Sequence, residues 1–335
     1  MDLATIIVLP GRVRLLLGRH RIEGELGVSE SDRFDVRAWR STDASVILRA
    51  PSGRSPLWRI AVDGSAIAPL PPVPGEGPLE ARAARVHGAA GVTTVLDPPV
   101  LWVLEPQDVW TPRALPDGMD VRDVSLDRAG GLWCAGEVPS GRIPGQDSEL
   151  ALRYQRHPGG RFGGRTPRLG LLDAARIVRH GGFTSLRHVD ADGEPVVVTS
   201  ICAWFLDDPS TFAFLVGAGK ASVVRLEDET VAALDRPNPG QVRLVTHEAN
   251  IWTLGGSGKP SSRPLGPAVL SALGASSSQV VIRNAALRGD TIALAVEVND
   301  GATSAALASR DGGATFEVVH RAEGPAEVTD VVWMG

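Results

Sequence analysis

Short apolar runs separated by turns that contain Gly, Pro or Asp recur along the whole chain. In "LWRIAVDGSAIAPLPP" (57–72), Asp63-Gly64 separates two such runs. An Asp-Gly pair between short apolar runs is typical of a β-hairpin. The same pattern predicts hairpins at 57–72, 100–116, 151–167, 222–237 and 305–324. The chain is therefore predicted to be all-β and built from a repeated unit.

A second pair of strands is predicted before each hairpin. "VRDVSLDRAGGLWCAGEV" (121–138) shows the pattern most clearly, because one strand runs into Asp-Arg-Ala-Gly-Gly and an apolar strand follows. The second strands of these pairs are predicted to centre near Val46, Val95, Trp133, Val197, Trp252 and Ala293. Their spacing is mostly that of the four-stranded blades of a β-propeller, and it gives six blades.

The two ends of the chain supply the strands of one more blade. Residues 4–27 have the pattern of three strands, and residues 326–335 have the pattern of a further one. Joining them would leave no free sheet edge, as closure of a ring requires. We therefore predict a single β-propeller domain over residues 1–335 with seven blades, six being the alternative, closed by strands from both termini. A pair of β-sandwiches or a solenoid also suits evenly spaced short strands.

Three segments interrupt the repeat. Residues 140–149 are predicted to be an exposed loop insertion, and residues 255–267 a long flexible loop that replaces part of a blade. Residues 168–182 are predicted to form a short helix, with a strand as an equal alternative. Its apolar face would consist of Leu169, Leu172, Ala175, Ile177 and Val178. Gly181 would then end the helix.

The stretch "SRDGGATF" (309–316) resembles the Asp-box of the sialidase-type (BNR) β-propellers. The matching positions are Ser309, Asp311, Gly313, Thr315 and Phe316. Asp and Ser side chains can accept hydrogen bonds from backbone N–H groups of their own turn, and Gly adopts a positive φ at no steric cost. The resemblance covers one hairpin of eight residues. It implies a turn between the third and fourth strands of a blade, with a structural role remote from any active site.

The resemblance does not extend to the catalytic residues of that family. Enzymatic sialidases carry an arginine triad, a tyrosine nucleophile with a glutamate partner, and an acid aspartate. The single tyrosine of this chain, Tyr154, lies on a predicted third strand, and an Arg-Ile-Pro sequence occurs only in mid-chain at 141–146. The resemblance therefore implies a non-catalytic member, and no catalytic residue is assigned.

Composition narrows the class of protein. The 335 residues exceed the roughly 250–300 residues of a single core, so either two domains or one repeat-built domain is expected. The net charge of −5 argues against a general nucleic-acid binder. Cys134 and Cys202 make no disulfide framework, and no stretch approaches ~18 uninterrupted apolar residues. We expect a cytoplasmic protein without membrane contact, and the scarcity of lysine suggests a bacterial genome rich in G and C.

No cofactor or metal is predicted. His247-Glu248 lacks a second histidine four residues later, so it is no zinc-protease helix. The segment from Asp190 to Gly193 lacks the later glutamate of a calcium loop. The seven histidines show no ligand spacing.

A basic run and isolated tryptophans are the candidates for partner binding. Seven arginines fall between Arg153 and Arg179 in a chain of net charge −5. Trp133, Trp252 and Trp333 recur at one place in the repeat and are expected to pack between blades. Other tryptophans could be exposed contacts, because Trp and Arg dominate binding hot spots. The resulting candidates are Arg153, Arg156, Arg161, Arg165, Arg168, Trp110 and Trp204.

The main hypothesis is a non-enzymatic interaction module that binds a protein partner within a larger assembly and is monomeric when isolated. One alternative is a glycan hydrolase or lyase at the propeller mouth, for which Asp123, Asp190 and Glu248 are the candidate carboxylates. The other is an acidic or nucleic-acid partner bound through the run from Arg153 to Arg179, which would show a steep salt dependence.

Overall fold

The structure is a computed structural model, and it describes most of the chain. The described residues are 3–9, 12–17, 20–24, 36–41, 43, 45–49, 57–61, 63, 67–77, 79, 85–89, 92–126, 130–139, 148–164, 183–187, 196–201, 210–217, 220–226, 229–238, 241–255, 259–276, 279–298, 302–323 and 326–334.

Strands account for almost all of the regular structure in these residues. The first fourteen strands are β1 (Leu3–Leu9), β2 (Arg12–Leu17), β3 (His20–Gly24), β4 (Arg37–Arg40), β5 (Val46–Arg49), β6 (Leu57–Ile60), β7 (Ile67–Pro69), β8 (Arg85–Ala89), β9 (Val92–Asp97), β10 (Val100–Glu105), β11 (Val109–Ala114), β12 (Asp120–Leu126), β13 (Leu132–Pro139) and β14 (Ser148–Gln155). The remaining strands are β15 (Gly163–Gly164), β16 (Phe183–Arg187), β17 (Val196–Ile201), β18 (Ser210–Gly217), β19 (Lys220–Arg225), β20 (Val231–Asn238), β21 (Gln241–Thr246), β22 (Asn250–Gly255), β23 (Ser261–Pro264), β24 (Val280–Arg288), β25 (Thr291–Val298), β26 (Thr303–Ser309), β27 (Glu317–Arg321) and β28 (Glu327–Trp333).

In the described part of the chain, these strands form seven four-stranded antiparallel sheets. Six sheets are meanders of consecutive strands: β4–β7, β8–β11, β12–β15, β16–β19, β20–β23 and β24–β27. The chain divides into two compact units. The first unit comprises residues 1–81, 231–253 and 259–335, and the second comprises residues 82–230 and 254–258. The prediction of a single domain stays a prediction.

The remaining sheet joins the two ends of the chain. Its strand order is β28-β1-β2-β3, so its first strand is C-terminal and its other three are N-terminal. Leu3 pairs with Trp333 and Ile6 with Asp330 in the antiparallel ladder. The prediction that both termini contribute strands to one sheet is confirmed.

Burial falls from the second strand of a sheet to the fourth. Five consecutive residues of β25, Ile292–Val296, are buried, and β1 and β5 are almost as completely covered. By contrast, all four residues of β23 are exposed, as are four of the five residues of β27. A strand that is buried on both faces needs a nearly continuous apolar sequence. The runs "TIALAVEV" and "LATIIVL" have that composition.

The prediction of a long loop over 255–267 is wrong. Residues Ser261–Pro264 form β23, which pairs with β22 as the outer strand of its sheet. Pro264 suits this place because an outer strand has one edge that needs no N–H donor. Gly266–Leu273 then forms the helix α1, which has Pro267 in its first turn. Gly274 ends α1 in the left-handed conformation with φ 67°.

The repeat phase predicted around residues 222–256 is also wrong. The expected hairpin at 222–237 is in fact β19 and β20, which belong to different sheets. Residues 227–230 have the polar composition of a hairpin turn, so the sequence pattern predicts a hairpin where the chain passes from one sheet to the next. Trp252 therefore lies on a third strand, whereas Trp133 lies on a second and Trp333 on a first. The three tryptophans do not share one position in the repeat.

The other predicted insertions lie mostly outside the described residues. Residues 140–147 and 168–182 are not described, and β14 already begins at Ser148 within the predicted loop 140–149.

Gly136 provides a test of the strand pairing in the second unit. A Cβ at this position would lie 2.1 Å from the Asp120 carbonyl oxygen and 2.9 Å from Val121 Cα. Backbone atoms cannot move away cheaply, so Gly136→Ala should destabilise the protein by about 1–3 kcal/mol. We expect a lower urea midpoint for this variant. Gly163→Ala is the matched control, because its Cβ would meet only Tyr154 O at 3.7 Å. Equal midpoints for the two variants would contradict the β12–β13 register.

Candidate functional site

A β-bulge recurs in the first strands of several sheets. In β12 the pairing register shifts between Val121 and Asp123, and in β24 it shifts between Ile282 and Asn284. In β28 the shift leaves Thr329 without a partner on β1. Each bulge inserts one extra residue and bends the strand.

The residue that follows each bulge is an Asp or Asn that caps the backbone. Its Oδ1 accepts a hydrogen bond from the next N–H, with distances of 2.9 Å for Asp123, 2.7 Å for Asn284 and 2.7 Å for Asp330. A bulge removes ladder hydrogen bonds, and a buried N–H needs an acceptor. The side chain thus satisfies a backbone group that the bulge leaves unpaired.

Asp330 also links its own strand to two neighbouring first strands of the first unit. Its Oδ1 accepts from Asn284 Nδ2 on β24 at 2.7 Å, and its Oδ2 accepts from the Ala38 N–H on β4 at 2.7 Å. The residue is only 1% exposed. Three donors from three strands therefore converge on one buried carboxyl group.

Burial raises the pKa of Asp330 to about 7. The hydrogen bonds from the Ala38 and Val331 N–H groups and the charge of Arg37 oppose this effect, because they favour the ionised form. The group therefore titrates near neutral pH within a packed network.

A small cleft lies beside Asp330 in the first unit. Its volume is about 160 Å³. The lining residues are Arg37, His247, Arg283, Glu297, Ser304, Glu327, Val328 and Thr329. They come from β4, β24, β25, β26, β28 and the turn between β21 and β22. Two of them, Arg283 and Thr329, are the extra residues of the bulges.

Several lining side chains are fixed by contacts within the protein. Arg283 Nε donates to Glu297 Oε2 at 2.6 Å, and Nη2 of the same guanidinium contacts the same oxygen. His247 Nδ1 bonds to the Ile282 carbonyl oxygen. A carbonyl only accepts, so Nδ1 carries the hydrogen and Nε2 of the neutral ring is an acceptor.

Two hydroxyl groups complete the lining. Ser304 Oγ accepts from the Val328 N–H at 2.8 Å, which ties β26 to β28. Thr329 is 2% exposed, and its Oγ1 has no hydrogen-bond partner among the described residues. A buried hydroxyl without a partner is costly, so Thr329 calls for an explanation.

The turn at 309–316 folds around the side chains that its sequence pattern indicated. Asp311 Oδ1 accepts from the Thr315 N–H at 2.9 Å, and Ser309 Oγ accepts from the Gly313 N–H at 2.8 Å. The Thr315 hydroxyl and N–H hold the pKa of Asp311 well below its usual range. Phe316 is buried among apolar residues of the first unit.

An arginine on the neighbouring sheet holds this turn in place. Arg263 on β23 donates to the Gly313 carbonyl at 3.1 Å and to the Gly312 carbonyl at 2.6 Å. Gly313 has φ +88°, and a Cβ there would come within 2.8 Å of Leu265 Cδ2. The turn thus packs two sheets together, and its side chains present no reactive group.

The predicted basic run is only partly described, and its described members form a cationic turn. Arg156, His157 and Arg161 are exposed on the residues between β14 and β15. The Gly160 N–H donates to the His157 carbonyl at 3.0 Å, which closes the turn. Arg153 is half-buried on β14, where it pairs with Cys134 and Gly164. Arg165 and Arg168 lie outside the described residues.

A buried glutamine anchors the cationic turn (residues 156–161). Gln155 is 3% exposed, and its Nε2 donates to the Gly160 carbonyl at 2.7 Å. Its Oε1 accepts from Arg113 Nε on β11 at 3.0 Å. The turn is therefore fixed to two sheets of the second unit.

The tryptophan candidates do not join this turn as exposed contacts. Trp110 is 8% exposed and belongs to the core, so it presents little surface to a partner. Trp204 lies outside the described residues. Val109, the neighbour of Trp110, is 54% exposed instead.

The candidate carboxylates of a glycan hydrolase or lyase are not brought together. Asp123 is buried in the second unit and accepts a hydrogen bond from the Val124 N–H of its own strand. Glu248 is exposed on a turn of the first unit, and Asp190 lies outside the described residues. Tyr154 packs against Trp133 with ring centroids 4.5 Å apart, so its ring serves packing.

Across the described ranges, no group of three His, Cys, Asp or Glu could hold a metal ion. No helix in these ranges is long and apolar enough to cross a membrane.

The sequence pattern does not single out the residues around the cleft. Thr329, Asp330 and Asn284 lie in segments that the pattern identifies only as strands of the repeat. A signal does exist, because Val-Arg-Asp-Val (121–124), Ile-Arg-Asn-Ala (282–285) and Val-Thr-Asp-Val (328–331) share one form. A polar residue among apolar ones at one place in a repeat marks the bulge.

Comparison with known proteins shows the fold but no family. No protein-family profile and no curated protein matches the sequence. Apo AztD from Citrobacter koseri has TM-score 0.56 at 9% identity over 99% of this chain and 96% of that chain. YCF48 from Cyanidioschyzon merolae has TM-score 0.44 at 10% identity, covering 89% and 94%. BamB from Moraxella catarrhalis has TM-score 0.44 at 13% identity, covering 96% and 81%.

AztD is a β-propeller protein, and this chain has an all-β propeller fold with four-stranded antiparallel blades. None of the matches shows the sialidase-type family that the turn at 309–316 resembles. The turn therefore defines local structure only.

Asp330 gives the protein a characteristic pH dependence. An aspartate has a pKa of about 3.9 in an unfolded chain. Since the pKa is raised to about 7 in the fold, the stability from this group is fully present below about pH 4. That stability is lost as the pH rises toward and through about 7. Asp330→Asn removes the titration, so the difference in thermal midpoint between wild type and variant should shrink from pH 4 to pH 8.

The variant should also be less stable than wild type at pH 4, because its amide nitrogen would face the Ala38 N–H donor. Thermal midpoints measured across the pH range by circular dichroism test both statements. Asp117→Asn, on an exposed turn, controls for the loss of one charge. A difference that stays constant across the range would show that Asp330 does not titrate there.

Proposed function

We propose that this chain is a non-enzymatic propeller module that binds a protein partner within a larger assembly. The observation that supports this best is the cationic turn. Arg156, His157 and Arg161 are exposed, yet contacts of buried Gln155 hold the backbone that carries them. The partner surface would be acidic, because opposite charges steer association and fix its register.

The rigidity of the turn favours binding. Side chains on a fixed backbone lose less conformational freedom when a partner docks, so more of the contact energy appears as affinity. Arginine is enriched among the residues that carry most of the binding energy at interfaces. The half-buried Arg153 on the adjacent strand could extend this face.

The enzymatic alternative has less support among the described residues. Asp123 and Asp330 are buried, and each accepts hydrogen bonds from backbone N–H groups, as a structural carboxylate does. Glycoside hydrolysis requires two carboxyl groups that flank one bond at a cleft. The cleft beside Asp330 is lined by Glu297 and Glu327, but Glu297 is engaged by Arg283.

A nucleic-acid partner is also less well supported. Proteins that bind a phosphate backbone typically neutralise about 6–10 phosphates, whereas the described turn exposes two arginines and one histidine. The net charge of −5 would oppose binding elsewhere on the surface.

We further propose that each of the seven sheets is one blade; six blades would leave one sheet outside the propeller. We propose a monomer in the cytoplasm. Cys134 is a free and buried thiol whose pKa burial raises to about 12, so it is inert, as suits a reducing compartment.

Affinity purification from the native host tests the proposed face. The tagged chain is the bait, alongside Arg156→Glu/Arg161→Glu and the control Arg310→Glu, which reverses a charge on another exposed turn. We expect a stoichiometric partner that the double variant captures at least about tenfold less, since reversing two hot-spot charges should cost more than 1.4 kcal/mol. The control should capture as much as wild type.

Equal capture by wild type and the double variant would exclude this turn as the binding face. If nuclease treatment of the lysate removed the captured material, the nucleic-acid alternative would be supported instead.

A further inference from the structure

We propose that the cleft beside Asp330 is a binding site for a free α-amino acid. The site lies in the first unit, and nothing in the proposed protein-binding role of the cationic turn requires it. The supporting observations are the charges that line the cleft, a buried hydroxyl without a partner, and the size of the cleft.

The charges of the cleft are balanced in sign. Two guanidinium groups, of Arg37 and Arg283, face the same space as the carboxylates of Glu297 and Glu327. A simple anion would meet two carboxylates, and a simple cation would meet two guanidinium groups. A ligand that carries both a carboxylate and an ammonium group can satisfy both sets. Arg283 already pairs with Glu297, and Arg37 and Glu327 also have partners, so the ligand groups would share these charges with contacts inside the protein.

Hydrogen-bonding groups of both kinds add to this pattern. Thr329 Oγ1 is buried without a partner, and a rotation about χ1 that turns it toward the cleft would let it donate to a ligand carboxylate. Ser304 Oγ already accepts from the Val328 N–H, so its own hydrogen is available for donation. In the neutral imidazole, His247 Nε2 is an acceptor that suits an ammonium group, because Nδ1 donates to the Ile282 carbonyl.

The unpartnered hydroxyl is the most specific of these observations. Threonine at the bulge of β28 occupies the place that arginine holds in β12 and β24. A buried hydroxyl that makes no bond destabilises the fold, whereas valine would fill the same volume without that cost. A ligand that accepts a hydrogen bond from Oγ1 would explain why this position carries threonine.

The size of the cleft limits the ligand. A volume of about 160 Å³ equals that of about five water molecules, and it is below the roughly 300–1,000 Å³ of pockets for drug-sized ligands. A small amino acid fits, and a folded peptide segment does not. Asp330 fixes the three first strands under the cleft, so the site is largely preformed.

Calorimetric titration of the full chain with each of the twenty L-amino acids, one at a time, tests the proposal. We expect at least one of them to bind with a Kd below about 1 mM. Its N-acetyl derivative lacks the ammonium group and its amide derivative lacks the carboxylate, so both should bind at least about tenfold more weakly. These two derivatives also mimic the C-terminal and N-terminal residues of a peptide.

Thr329→Val links binding to the cleft. This variant should keep or raise the thermal midpoint, because it removes an unpartnered buried hydroxyl, and it should weaken binding about tenfold. Thr291→Val, a half-buried threonine at the start of β25 and outside the lining, is the control that should bind as wild type does.

Three results would overturn the proposal. The first is that no amino acid binds at 10 mM ligand, about ten times the expected Kd. The second is that inorganic phosphate, acetate, the N-acetyl form or the amide binds as tightly as the free amino acid. The third is that Thr329→Val leaves the affinity unchanged.

Discussion

The structure of the first unit depends on how the β-bulges of the first strands satisfy their backbone N–H groups. A bulge in a buried strand leaves an N–H without its ladder partner, and water cannot reach it. Asn284 and Asp330 supply the acceptor from their own side chains, and Asp330 extends the bond to the next strand at Ala38. Because the strands are held in this way, the residue before each polar side chain is placed at the cleft.

Both candidate sites follow the same physical rule. In each site, a buried polar side chain with well-defined partners fixes the backbone next to the residues that would meet a partner or ligand. Gln155 does so for Arg156 and Arg161, and Asp330 does so for Thr329. Buried polar groups add little net stability, but they specify one arrangement of the chain. In this protein that arrangement determines which side chains a ligand or partner can meet.

Features that depend on a local sequence pattern can be predicted from the sequence. The prediction fails where two different structures have the same pattern. Alternating turns and apolar runs were enough for the fold class, for the sheet made from both termini, and for the bonds that Asp311 makes in its turn. The predicted order of strands within the repeat is wrong at 222–237, because the polar connection between two sheets has the composition of a hairpin turn. The helix α1 was missed although Pro267 and Gly274 mark its ends, and the cleft was missed because its residues are distant in sequence.

The sheet shared by both ends of the chain has a consequence for synthesis on the ribosome. Strands β1, β2 and β3 are translated before β28, so β1 has no partner on one edge until β28 is made. An exposed edge of an apolar strand such as "LATIIVL" readily pairs with other chains. During translation, the nascent strand β1 must therefore be shielded from aggregation, and loss of the codons for β28 would leave its edge permanently exposed.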